Sequence, residues 1–76
     1  MFSHITSNQA ILNGKPCIKG TRISIEFILE LLSSGATFND ILKNYPHLTE
    51  EDLQEALQYA SRFLKNEIVI MAEVKN

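Results

Sequence analysis

The stretch Asn13-Gly14-Lys15-Pro16-Cys17-Ile18-Lys19-Gly20-Thr21-Arg22-Ile23 constrains this chain more than any other. It places two glycines, one proline and three cations in eleven residues, with no acidic side chain. Such a segment is poor helix material and rich in enforced backbone geometry. Asn13-Gly14 favours the positive φ values of a tight turn. Pro16 fixes its own φ and biases Lys15 toward an extended conformation. Gly20 can take a dihedral closed to other residues, or let another backbone come close. The expected product is a small β-ribbon: Ala10-Ile11-Leu12 enters the turn extended, and Cys17-Ile18 pairs back with it. Pro16 has no N–H, which puts it at an edge or a strand start.

After Ile23 the pattern becomes helical. Ser24 is a good N-cap for a helix over residues 25–34, with Glu26 in the favourable first turn. Ile25, Ile28, Leu29 and Leu32 form one apolar stripe, which Phe27 and Leu31 broaden. Gly35 is placed to close that helix in a left-handed conformation. Thr37 caps a second, shorter helix with Asp40 at the capping-box position, and Pro46 stops it after Phe38, Ile41, Leu42 and Tyr45. Thr49 caps a third helix, whose Glu50, Glu51 and Asp52 suit the positive end of the dipole. Leu53, Ala56, Leu57, Ala60 and Leu64 supply its buried stripe, with Phe63 beside it, to about Lys65. Helix, glycine turn, short helix, turn, longer helix is the order of a helix-turn-helix domain. The whole reads as a single domain: a β arm over residues 1–23, a trihelical core over 24–65 and an apolar tail over 66–76.

A chain of 76 residues buries a thin core, worth roughly 3–5 kcal/mol net. The lone Cys17 cannot form an internal disulfide, and no Cys/His cluster exists to hold zinc. Self-association is the remaining staple, so a homodimer is expected. The single thiol points to a reducing compartment. No apolar run reaches membrane-spanning length and the N-terminus lacks a signal peptide's apolar core, so the expectation is a cytoplasmic protein with no membrane contact. The net charge of -2 hides a segregation: residues 1–24 carry Lys15, Lys19 and Arg22, while all nine acids lie beyond. This makes a local cationic arm.

Two sets of residues are candidates for DNA contact. In the arm, Lys15, Lys19, Thr21 and Arg22 suit phosphates, with Arg22 able to read a guanine edge or a narrow minor groove. The structural alternative is that Arg22 and Thr21 satisfy backbone carbonyls and hold the arm on the helices. In the third helix, Gln54, Gln58 and Arg62 recur at i, i+4, i+8, and glutamine and arginine pair bidentately with adenine and guanine. Against this, recognition helices present their N-terminal end to the bases, and here that end is Glu50-Glu51-Asp52. A solvated helix face is the alternative. The tail residues Ile68, Ile70, Met71 and Val74 are too apolar for a free tail and are candidates for partner binding.

Chemistry finds little footing. His4 and His47 stand apart without a carboxylate or cysteine at ligand spacing, so no metal is expected. Cys17, between Pro16 and Ile18, reads as a buried small hydrophobe. Glu50, Glu51 and Asp52 are consecutive and fan around their helix, and Ser24, Thr37 and Thr49 serve as caps. With no phosphate-cradling loop or metal motif, the chain is expected to be no enzyme, with no cofactor and no small-molecule substrate.

The segment Gly14-Lys15-Pro16-Cys17-Ile18-Lys19-Gly20-Thr21-Arg22-Ile23 resembles the G-x-P-x-I-x-G-T-R-I signature of the bacterial family called domain of unknown function 433. The resemblance continues through Gly35, Tyr45-Pro46, Leu48-Thr49, Leu53 and Ala56-Leu57-x-Tyr59-Ala60, covering about Ile5 to Ala60. Gln9 stands where the family often has proline, and Asn13 where it often has a first glycine. Both are compatible with a turn. The resemblance implies a mainly α fold, a homeodomain-like three-helix (helix-turn-helix) bundle with a short N-terminal β arm. It also implies an antitoxin that binds a PIN-like ribonuclease toxin and represses its own operon by binding operator DNA. The alternative is a homodimeric protein-interaction module that touches no nucleic acid.

Overall fold

The computed structural model describes residues 2–64, with side chains through Arg62. Strands β1 (Ile5–Thr6) and β2 (Cys17–Ile18) precede three helices, α1 (Ile25–Ser33), α2 (Phe38–Asn44) and α3 (Glu50–Leu64). The expected mainly helical fold with an N-terminal β arm is what the chain adopts.

Each helix starts where a side chain can satisfy its orphan amides. The Phe27 N–H donates to Ser24 Oγ at 2.9 Å. Thr37 and Asp40 exchange hydrogen bonds of 3.0 and 3.1 Å, a complete capping box. Thr49 and Asp52 form a second one at 2.9 and 3.1 Å. Helix α1 ends as its glycine predicts. Gly35, at φ 108°, donates to Leu32 O while Ala36 donates to Leu31 O, the paired bonds of a Schellman motif.

The core gathers Ile18, Ile25, Ile28, Ile41, Leu48, Leu53, Ala56 and Ala60. Helix α3 packs on both α1 and α2, and the small Ala56 and Ala60 are buried on it. Leu57, expected in the same stripe, is half-buried. Phe27 is among the exposed large hydrophobics and rests edge-on against Tyr45, ring centroids 5.9 Å apart.

The β-ribbon forms with a different partner from the one the sequence suggests. Ile5 pairs with Ile18 and Thr6 with Cys17, antiparallel, while Ala10-Ile11-Leu12 is no strand. The reason is local. The Asn8 side chain accepts the Ala10 N–H at 2.9 Å, and the Ile11 N–H donates to the Asn8 carbonyl at 2.8 Å. A turn therefore occupies residues 8–11. Leu12, Asn13 and Gly14 then take φ of 51°, 58° and 86°, three successive left-handed residues that make a wide loop. The Asn-Gly pair does adopt positive φ, but as part of a longer excursion.

Strand β2 is gripped on both sides. Beyond its pairing with β1, the Ile18 N–H donates to Ile23 O at 2.9 Å and the Ile25 N–H to Pro16 O at 2.9 Å. Residues 18–21 make the turn between, closed by the Thr21 N–H to Ile18 O at 3.0 Å. Gly20 at φ 81° occupies the position of a type II turn that demands a left-handed residue. Cys17 is buried, its Sγ donating to Lys15 O at 3.2 Å, and burial pushes its thiol pKa up. Among the described residues, no helix is long and apolar enough to cross a membrane.

Candidate nucleic-acid interface

The arm's cationic residues divide by what they touch. Lys15 Nζ donates to Glu26 Oε1 at 3.0 Å, pinning the loop to the first turn of α1, with both side chains mostly exposed at 60% and 65%. That hydrogen bond, then the charge of Glu26, raises the Lys15 pKa. The Thr21 hydroxyl donates to Ile18 O at 2.8 Å and accepts the Ile23 N–H at 3.0 Å, so it holds the turn that launches α1. Lys19 and Arg22 are exposed on that same turn.

On α3, Gln54, Gln58 and Arg62 are all exposed. Steps of four residues drift about 40° around a helix, so Arg62 lies about 80° round from Gln54. The drift carries it to the arm: its guanidinium carbon sits 5.5 Å from the Phe2 ring centroid, a cation–π contact. Phe2 also meets Tyr59 edge-on at 5.2 Å. The structure thus joins Arg62 to the N-terminal arm and leaves the two glutamines on the adjoining open face.

The pairing that brings arm and helix together carries little signal in the sequence. His4 donates its backbone N–H to Glu55 Oε1 at 2.8 Å, and its Nδ1 lies 2.6 Å from Asp52 Oδ1. The other oxygen of Asp52 accepts the Thr49 N–H, so one carboxylate both caps α3 and holds the arm. Asp52 is 8% exposed, whereas Glu50 and Glu51 face solvent. The hydrogen bond to Asp52 raises the His4 pKa, with the charges of Glu55, Asp52 and Glu51 adding to it. The Lys19 N–H donates to His4 O at 2.8 Å, which places the Lys19–Arg22 turn beside the start of α3. One electropositive edge therefore borders an acidic helix end. His4 and its two carboxylates are 48 and 51 residues apart, and only the Thr49-x-x-Asp52 capping spacing could have marked Asp52. The tail candidates Ile68, Ile70, Met71 and Val74 lie outside the described residues.

Comparison with known proteins agrees with this architecture. The sequence matches the family described as protein of unknown function (DUF433) over residues 5–60. It is similar to a DUF433 member protein from Anabaena variabilis ATCC 29413 with a crystal structure at 2.00 Å resolution. That similarity has a TM-score of 0.78 and 29% identity, covering 91% of this chain and 68% of the other. No curated protein matches the sequence. The chain belongs to the DUF433 family.

Proposed function

We propose that the protein is a non-enzymatic, cytoplasmic antitoxin-like regulator that binds a PIN-like ribonuclease toxin and represses its own operon as a homodimer. The observation that carries the DNA-binding half is the exposed pair Lys19 and Arg22 on a rigid turn beside α3. A turn fixed by Gly20, Thr21 and the Ile18–Ile23 bond presents cations with little ordering cost on binding. Gln54 and Gln58 supply neutral donors and acceptors on the neighbouring face. In this reading the turn carries the phosphate contacts and the middle of α3 reads bases, because exposed Glu50 and Glu51 repel phosphates from the helix start. Lys15 and Thr21 contribute through the shape of the arm as well as by contact. Toxin binding is assigned to the apolar tail residues Ile68, Ile70, Met71 and Val74.

The acidic start of α3 also favours a second reading, an interaction module that binds protein alone. Fluorescence anisotropy on labelled DNA from the chain's own upstream region separates the two. The repressor reading expects specific binding that weakens steeply with salt. It also expects a log–log slope that falls by about one unit in each of Lys19→Ala and Arg22→Ala. No binding at low salt, alone or with the partner toxin present, selects the interaction module.

A further inference from the structure

His4 bridges the cationic turn and the acidic start of α3 through both its backbone and its ring. Its carbonyl accepts the Lys19 N–H at 2.8 Å, and its own N–H donates to Glu55 Oε1 at 2.8 Å. The ring lies between two carboxylates: Nδ1 is 2.6 Å from Asp52 Oδ1 and Nε2 is 3.9 Å from Glu55 Oε2. Both carboxylates are largely shielded from solvent, whereas the imidazole is 38% exposed. The field between them is weakly screened by salt, yet a proton from solvent can reach it.

The charges on the elements packed against His4 show what that proton does. The turn after β2 carries Lys19 and Arg22, and the start of α3 carries Glu50, Glu51, Asp52 and Glu55. Two cations sit against four acids, and a protonated His4 supplies a third cation at their boundary. In the neutral ring a proton on Nδ1 is accepted by Asp52, so the second proton goes to Nε2, on the Glu55 side. Deprotonation therefore keeps the hydrogen bond to Asp52 and removes a positive charge.

We propose that His4 is a positioning residue and proton switch for the DNA-facing turn, a role that rests on the DNA-binding reading above. Protonated, it offsets the α3 acids and admits phosphate to Lys19 and Arg22. Neutral, it leaves those acids to repel phosphate. Coupling of this kind is reciprocal: a proton on His4 strengthens DNA binding, and bound phosphate raises the His4 pKa by the same factor. A rise of half a unit to one unit is a change of about three- to tenfold in affinity. Affinity is highest below the folded pKa of the free protein. It falls as pH rises from that value to the higher pKa of the complex, then levels off. The hydrogen bond to Asp52 already holds the free value above 6.5, so the fall begins above the ordinary histidine range.

The test is anisotropy of the full chain on its labelled upstream DNA, at constant salt, from about pH 6 to about pH 9. Affinity in the wild type is expected to fall about three- to tenfold across that range. His4→Ala should show the weak high-pH affinity throughout. His4→Arg, with a charge that does not titrate, should keep the strong low-pH affinity throughout. His47→Gln, which alters the other histidine, should retain the wild-type profile. The His4 ring signals in nuclear magnetic resonance should titrate at higher pH with DNA bound than without it. That readout uses the native protein, so it decides the matter even where a variant fails to fold. DNA binding that ignores pH, or a His4 titration unmoved by DNA, would overturn the switch and leave the repressor reading intact. No DNA binding at any pH, alone or with the toxin present, would overturn both.

Discussion

Strands β1 and β2 are two residues each and pair with one another, yet they are held by different means. Strand β2 is fully buried and bonded through its backbone on both sides, to β1 and to residues 23–25. Its backbone anchors other than β1 lie within eight residues of it in the chain. Strand β1 is half-buried and depends on α3, through His4 on Asp52 and Glu55 and through Phe2 on Tyr59 and Arg62. Those contacts span some fifty residues. The inner strand is therefore part of the helical core's foundation, and the outer strand is a docked element that can be released separately.

The largest test of that contrast is Ile18→Ala. Ile18 is 2% exposed in the main cluster, and such truncations cost about 2–5 kcal/mol. Against a net stability of roughly 3–5 kcal/mol, most of the stability margin should be lost. The urea midpoint by circular dichroism reads this. A midpoint close to wild type would deny β2 its place in the core. Gly20→Ala comes next. A Cβ there meets nothing within 4 Å, so only the φ of 81° resists it. The expected loss is about 1–2 kcal/mol by the same measurement.

The outer strand should respond more weakly and more locally. Asp52→Ala removes half of a capping box and the acceptor for His4, for a loss of about 1 kcal/mol from the cap. Hydrogen exchange should quicken at the β1–β2 ladder while the amides of α1 stay protected. Uniform quickening would mean that the two strands do not separate. The same clamp responds to pH. The folded His4 pKa is raised above its ordinary 6.5 by Asp52, Glu55 and Glu51, all on α3. Its contribution is therefore present in full below about pH 6.5 and is lost as pH rises through the raised folded value. The midpoint should decline over that window in the wild type, and His4→Ala should flatten the decline.

This division also separates what was legible in the sequence from what was not. Ser24, Gly35, the Thr37/Asp40 box and Pro46 act on neighbours three or four residues away, so reading them placed the helices within a residue or so. The glycine turn of the arm yielded in the same way, since Gly20 needs only its own φ. The partner of β2 did not. Ala10-Ile11-Leu12 has the apolar pattern of a strand, but Asn8 captures that segment in a turn and passes the pairing to Ile5-Thr6. The His4 clamp was equally silent, because its meaning depends on a fold already formed. Its spacing puts Arg62 in a polar stripe with Gln54 and Gln58, whereas the drift of the helix and an aromatic residue at the other end of the chain draw it to the arm.

Lys15 offers the smallest effect and the finest distinction. It ties the loop between the two strands to the start of α1, so it belongs to the inner set by position. The pair is solvent-exposed on both sides, and such pairs contribute about 0.2–1 kcal/mol at most sites. Lys15→Ala should therefore move the urea midpoint by little more than experimental error. In the DNA titration the same substitution should lower the salt slope by about one unit, because an exposed ammonium held by a single carboxylate can exchange that partner for a phosphate. Glu26→Gln sharpens the reading: it frees the lysine and should strengthen DNA binding while leaving the fold intact. A slope unchanged in both variants would remove Lys15 from the interface and leave Lys19 and Arg22 to carry the phosphate contacts alone.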